Sequence, residues 1–322
     1  MEHDVLLLYI KDSLVPAGAL DRIRELAPQL RLVVTTDEDE VRALAGDITV
    51  AAGQPPREWL ASFPRLKWFQ QFYAGADWLS QNPAAVAAPW VMTNARGVHP
   101  IQITEHVFAG VLAFARQLPK ALEQQRARTW DSAAMADVFE LHDKTLLVIG
   151  VGAIGERIAR VGAAFGMNPI GIRRSHAAAE PPFTRMYQQD GLHVALPEAD
   201  VVVSAAPLTP ETENMIDEAE MAMMKPGAVI VNIGRGGTIN EPALLAALNE
   251  GRIRGAMLDV FEQEPLPGDA PHWHTKNLII TPHTAGDTPR YYERTFDIFF
   301  DNLERFTAGV ELRNVVDKQL GY

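Results

Sequence analysis

The sequence predicts an α/β protein of two Rossmann-like lobes, the larger built on a doubly wound parallel sheet. Three observations carry this. The 322 residues exceed one ordinary hydrophobic core, and an apolar content of 47% is enough to bury two. Short Val/Ile/Leu runs recur without polar alternation, as strands do when helices cover both faces of their sheet. Helical patterns fall between those runs, which is the alternation of a parallel sheet.

Taken in order, apolar runs at residues 5–10, 32–35, 48–51 and 66–69 alternate with helical stretches up to about Met92 and form a small α/β lobe. Asp37-Glu38-Asp39-Glu40 precedes an apolar helical pattern and reads as a solvated helix start, favoured by the dipole. Residues 99–118 read as one long helix, with Pro100 near its start and Ile103, Val107, Val111, Leu112 and Phe114 on one face. It is expected to bridge the lobes. Residues 121–142 are polar apart from Trp130 and Phe139, an excursion expected to pack on a neighbour such as a second subunit.

From Lys144 onward, strands at 145–149, 169–172, 200–203, 228–233, 255–258 and 278–281 alternate with helices at 153–165, 217–224 and 242–249. A last helix at 289–306 carries Tyr292, Phe296, Phe299 and Leu303 on one face and is expected to return to the first lobe.

Composition narrows the chemistry. A formal net charge of −12, without long runs of either sign, disfavours nucleic acid as a partner. No cysteine is present, so disulfides, thiolate nucleophiles and thiolate metal sites are excluded. The first apolar run is too short for a signal segment and no later one approaches a bilayer span, so a cytoplasmic protein is expected.

The strand at 145–149 runs directly into Gly150-Val151-Gly152-Ala153-Ile154-Gly155 and then a helix. In that setting the pattern is a dinucleotide fingerprint. Gly150 permits the tight turn, Gly152 admits the pyrophosphate to the backbone, and Gly155 allows close helix–strand packing. The acid that usually follows at the next strand end, where it binds the ribose hydroxyl, is replaced by Arg173-Arg174-Ser175. Two guanidiniums and a hydroxyl suit a 2′-phosphate, so NADP(H) is expected in preference to NAD(H), with NAD(H) still possible.

Ligands of an open parallel sheet collect beyond the carboxyl ends of its strands. Arg235, Asp259 and His283 each follow a strand end. Reduction of a 2-keto acid needs a cation for the carboxylate and carbonyl, a proton donor for the oxygen, and a hydride. Arg235 and His283 suit the first two roles, and Glu264 near the histidine would support its protonated form. His272 and His274 flank Trp273 in a Pro- and Gly-containing loop and read as surface residues; no metal site is expected.

With these residues assembled, the chain resembles the D-2-hydroxyacid dehydrogenase family from about Leu66 to the C-terminus. The likeness rests on residues 150–155, 206–212, 231–237, 258–265 and 281–286. It implies Arg235, Glu264 and His283 as the catalytic set, and Ala74 and Gly75 as backbone donors to the substrate carboxylate alongside Arg235 and His283. It implies a cofactor held by Gly150, Gly152, Ala153, Ile154, Gly155, Arg173, Arg174, Ser175, Ala206, Pro207, Thr212, Ile233, Gly234, Arg235, Asp259, His283, Ala285 and Gly286, with Asp259 at the nicotinamide carboxamide.

The resemblance further implies a dinucleotide-binding domain, residues 99–286, inserted in a smaller flavodoxin-like substrate domain made of residues 1–98 and 287–322, and a homodimer. Arg173 points to the branch that reduces glyoxylate and hydroxypyruvate with NADPH. Glu264 and Ala74 argue against formate and phosphite dehydrogenases, which are similar to this family but carry glutamine and lysine there. A phosphoglycerate dehydrogenase-like enzyme and a dinucleotide-sensing corepressor remain alternatives.

Overall fold

The computed structural model describes residues 4–175 and 178–321. They form two compact units, one made by residues up to Val98 together with those from Thr288 onward, the other by His99–Asp287.

In the first unit, β1 (Val5–Tyr9), α1 (Ala19–Leu26), β2 (Arg31–Val34), α2 (Glu38–Leu44), β3 (Ile48–Gly53), β4 (Trp68–Gln71), α3 (Pro83–Ala87) and β5 (Val91–Thr93) follow in chain order. The strands form one parallel sheet in the order β2-β1-β3-β4-β5, the flavodoxin-like arrangement. Asp37 caps α2 by accepting from the amides of Asp39 and Glu40, so the acidic run is a helix start. Alternate residues of the strands feed two cores: Val5, Leu7, Ala51 and Phe69 on one face, Leu6, Leu8, Val50 and Trp68 on the other. The C-terminal helix Tyr291–Ala308 belongs to this unit and seals the second face with Phe296, Phe299 and Leu303.

The second unit contains α4 (Pro100–Ala115), α5 (Leu118–Ala127), β6 (Thr145–Ile149), α6 (Ala153–Ala164), β7 (Asn168–Ile172), β8 (Arg185–Tyr187), α7 (Leu192–Ala195), β9 (Val201–Ser204), α8 (Glu218–Met223), β10 (Val229–Asn232), α9 (Glu241–Asn249), β11 (Gly255–Leu258) and β12 (Leu278–Ile280). Its seven strands are parallel in the order β12-β11-β10-β9-β6-β7-β8. Both faces are apolar, as the unbroken aliphatic runs require: Leu147, Val202 and Ile230 look to one core, Leu146, Val203 and Val231 to the other.

Three details differ from expectation. The helix expected over residues 99–118 ends at Ala115, because Gln117 adopts a left-handed conformation and α5 starts anew at Leu118. The excursion at 121–142 is helical in its first part, to Ala127. Strand β8, three residues with two polar side chains, is too short and too polar to announce itself in an apolar pattern.

Candidate active site

The strand order of the second unit reverses between β6 and β9, so the crevice of this sheet opens beyond Ile149 and Ser204. Glycines let the chain close there. Gly150, at φ 93°, sits where a Cβ would come within 2.7 Å of the Ala205–Ala206 backbone, and a Cβ on Gly234 would come within 2.5 Å of the Ala206 carbonyl. A Cβ on Gly155 would strike the Gly150 carbonyl, whereas Gly152 faces open space. Ala153 and Ile154 begin α6, whose first amides therefore border a gap that any side chain at 152 would narrow. This cradle fits the pyrophosphate of a dinucleotide.

Around the crevice, Ile233 and Gly234 follow β10, with the Gly234 amide donating to Asn232 Oδ1. Ala206 is buried, and Pro207 accepts the Thr212 hydroxyl at 2.6 Å. The Thr212 oxygen also accepts from the Thr209 amide, so this side chain builds the loop it was expected to contribute to the cofactor. Arg173, Arg174 and Ser175 follow β7; the Arg173 amide joins Tyr187 of β8, and Gln188 donates to the Arg174 carbonyl. In the loop beyond β9, the Glu211 carboxyl is held below its ordinary value, first by the Thr209 hydroxyl.

Arg235 stands on a turn braced by Asn232 and Thr238, which both donate to its carbonyl, and its own guanidinium donates to the Gly234 carbonyl. The adjacent Gly236 packs so closely on the Phe261–Glu262 peptide that a Cβ would come within 2.0 Å of it. The turn carrying Arg235 thereby abuts the segment carrying Glu264. Glu264 Oε1 accepts from the Phe261 amide at 2.9 Å, and Oε2 pairs with His283 Nδ1 at 2.7 Å. A carboxylate only accepts, so Nδ1 holds the donated proton and Nε2 is the nitrogen turned from the pair.

His283 is a non-glycine residue at φ 54°, a conformation that needs external support. Asp259 supplies it. Its carboxylate, 3% exposed, accepts from the Thr281 hydroxyl at 2.6 Å, the Thr284 amide at 2.9 Å and the Ala285 amide at 3.0 Å. Its own carbonyl accepts the His283 amide. Since the Thr281 proton goes to the carboxylate, His106 Nε2, 3.0 Å from the same oxygen, is the donor there. Gly286 completes the loop, its carbonyl accepting from Gln102.

One expectation is overturned. His272 is 7% exposed rather than on the surface, with Nε2 at 2.9 Å from Glu241 Oε2. The loop folds inward because the ring packs edge-on against Phe261 and meets a buried acid. Glu241 has its carboxyl pushed up by burial, and its other oxygen accepts from the Glu262 amide at 2.6 Å. Two carboxylates, Glu241 and Glu264, thus hold successive amides of one segment. Among the described residues no cluster of His, Asp and Glu is arranged to hold a metal ion, and no helix is long and apolar enough to cross a membrane.

In the first unit, Ala74 and Gly75 lie in the loop after β4, both half-buried. Residues not singled out from the sequence are His106, Glu241, Gln71 and Asn94. The signals were present: a histidine beside a buried helical face, and polar residues at the ends of otherwise apolar strands.

Residues 108–285 match the family model described as D-isomer specific 2-hydroxyacid dehydrogenase, NAD binding domain. The chain is 36% identical over 269 residues to the glyoxylate reductase of Aeropyrum pernix, covering 81% of this chain and 79% of that one. It is also 36% identical over 261 residues to the D-3-phosphoglycerate dehydrogenase of Methanocaldococcus jannaschii; the match covers 81% of this chain and only about half, 49%, of that longer protein. Among solved structures it resembles the NADPH-dependent glyoxylate/hydroxypyruvate reductase of Sinorhizobium meliloti in complex with NADP and sulfate, with a TM-score of 0.82, 26% identity, and 99% and 100% of the two chains covered.

Proposed function

Because the chain belongs to the D-isomer specific 2-hydroxyacid dehydrogenase family, a family of nicotinamide-dependent oxidoreductases, we propose that it reduces the carbonyl of a small 2-keto acid such as glyoxylate or hydroxypyruvate, or runs the reverse reaction on a D-2-hydroxy acid, and prefers NADPH. The observation that carries this is the His283–Glu264 pair at 2.7 Å, set on a strand-end loop of the domain that bears the glycine cradle.

A nicotinamide dinucleotide held at the glycine cradle of residues 150–155 would supply a hydride for the carbonyl carbon. His283 gives its Nε2 proton to the carbonyl oxygen, which becomes the hydroxyl, and Glu264 holds the positive ring while it waits. Arg235 binds the carboxylate and polarises the carbonyl, as a planar, permanently charged donor can. The amides of Ala74 and Gly75 take further carboxylate bonds. Asp259 orients the His283 loop through the Thr281, Thr284 and Ala285 bonds and would lie at the carboxamide of a bound nicotinamide.

The NADPH preference rests on Arg173, with Arg174 and Ser175 beside it after β7, two guanidiniums and a hydroxyl suited to a 2′-phosphate. A homodimer through the second unit is supported by Trp130, 98% exposed, with Leu118 and Leu122 of α5 also uncovered.

Initial rates of reduced-nicotinamide consumption test the reading, with glyoxylate, hydroxypyruvate, pyruvate and a longer 2-keto acid, each with NADPH and NADH. Turnover that favours NADPH supports it. Demonstrable NADPH binding without turnover of any of the four refutes the reductase assignment. Faster turnover with NADH refutes the cofactor preference alone.

A further inference from the structure

The loop that carries Ala74 and Gly75 is tied down in an unusual way. Three successive carbonyls, those of Tyr73, Ala74 and Gly75, all accept hydrogen bonds from the first unit's own side-chain amides. Gln71 Nε2 donates to Tyr73 at 3.1 Å and to Gly75 at 2.6 Å, and Asn94 Nδ2 donates to Ala74 at 2.7 Å. The Ala95 amide adds a second donor to Tyr73.

The orientation of both carboxamides follows from their other partners. Gln71 Oε1 accepts the Trp78 indole N–H at 2.7 Å, and Asn94 Oδ1 accepts the Arg96 amide at 3.1 Å. Neither an indole N–H nor a backbone N–H can accept, so each NH2 group must face the loop carbonyls. Gln71 and Asn94 are buried, 4% and 5% exposed, and the brace has no freedom to turn.

A trans peptide is planar, with its N–H antiparallel to its C=O. The peptides of this loop are trans. Fixing the Tyr73 and Ala74 carbonyls against the body of the unit therefore aims the N–H groups of Ala74 and Gly75 the opposite way, and the tie on Gly75 holds the end of the loop. Among the described residues neither of these N–H groups has a protein partner. Successive outward amides of this kind are an anion site.

We propose that Gln71 and Asn94 are positioning residues for substrate carboxylate binding. They act through the backbone, by presenting the Ala74 and Gly75 amides, and do not themselves touch the substrate. This inference rests on the 2-keto acid reading given above.

Gln71→Glu and Asn94→Asp keep shape and volume but place an oxygen where a donor stood, against a carbonyl. Each is measured with NADPH on glyoxylate and on methylglyoxal, an aldehyde of similar size that lacks the carboxylate, with thermal melting alongside. The expected result is a KM for glyoxylate raised about tenfold, the cost of one or two lost bonds, and an unchanged KM for NADPH. The preference for glyoxylate over methylglyoxal falls with it. Gln71→Met and Asn94→Ala, which remove the donor without the repulsion, give a smaller shift in the same direction if the charged variants fail to fold. Equal losses on both substrates, or an unchanged glyoxylate KM in folded variants, overturn the inference and leave the reductase reading standing. Absence of turnover in the wild-type protein overturns that reading first.

Discussion

Replacing Thr281 by valine removes one hydroxyl from beneath His283 and leaves every charged group in place. The hydroxyl donates to the buried Asp259 carboxylate at 2.6 Å and accepts from His106 at 3.0 Å. A bond to a charged acceptor contributes about 1.5–3 kcal/mol, and valine matches threonine in volume, so no cavity opens. His106 is one-fifth exposed and 3.7 Å from Asp259 Oδ1, so its N–H finds water or the carboxylate and adds little to the loss. The sum is about 2 kcal/mol, a fall in Tm of roughly 4–8 °C for a unit of this size. The carboxylate that holds the Thr284 and Ala285 amides is then free to shift, and with it the left-handed His283. A displacement of a fraction of an ångström in a proton donor lowers kcat by about tenfold. Thermal melting and steady-state kinetics measure both, with Thr281→Ser expected to restore them. A valine variant that melts lower but keeps wild-type kcat refutes the claim that this network positions His283, and one unchanged in both refutes the network's energetic role.

Three other outcomes are expected. Arg173→Asp raises the KM for NADPH by about a hundredfold, since it removes a charge-assisted bond and adds repulsion, and changes that for NADH little; equal losses for both cofactors count against phosphate recognition there. His283→Ala lowers kcat by about 10²–10⁴ while fluorescence titration finds NADPH affinity within about threefold of wild type, and Glu264→Gln lowers kcat less. Glu241→Gln changes the pH dependence of stability. Burial raises the Glu241 carboxyl, so its stabilising contribution is fully present below the ordinary glutamate value of about 4.3 and is lost as pH rises through the raised folded value. The glutamine variant should gain on the wild type in melting temperature as pH climbs through that window, and a constant difference across it would contradict the raised value.

Local pattern determined most of what this protein is. The aliphatic runs of residues 145–149 and 255–258 are β6 and β11 to the residue, because strands buried on both faces leave an uninterrupted signature. The glycine turn was legible since each glycine answers a requirement of its own position, and the strand-end rule placed Arg235, Asp259 and His283 on the same edge of one sheet. What pairs with what was not legible, because a side chain's partner is set by packing between segments far apart in sequence. Tertiary structure decided that Glu264 meets His283 across 19 positions and that His106 backs Asp259 from 153 positions away. It also drew His272, in a loop that reads as solvent-exposed, into the core beside Glu241. A buried acid demands a partner for its charge, and only the folded chain reveals which residue the demand reaches.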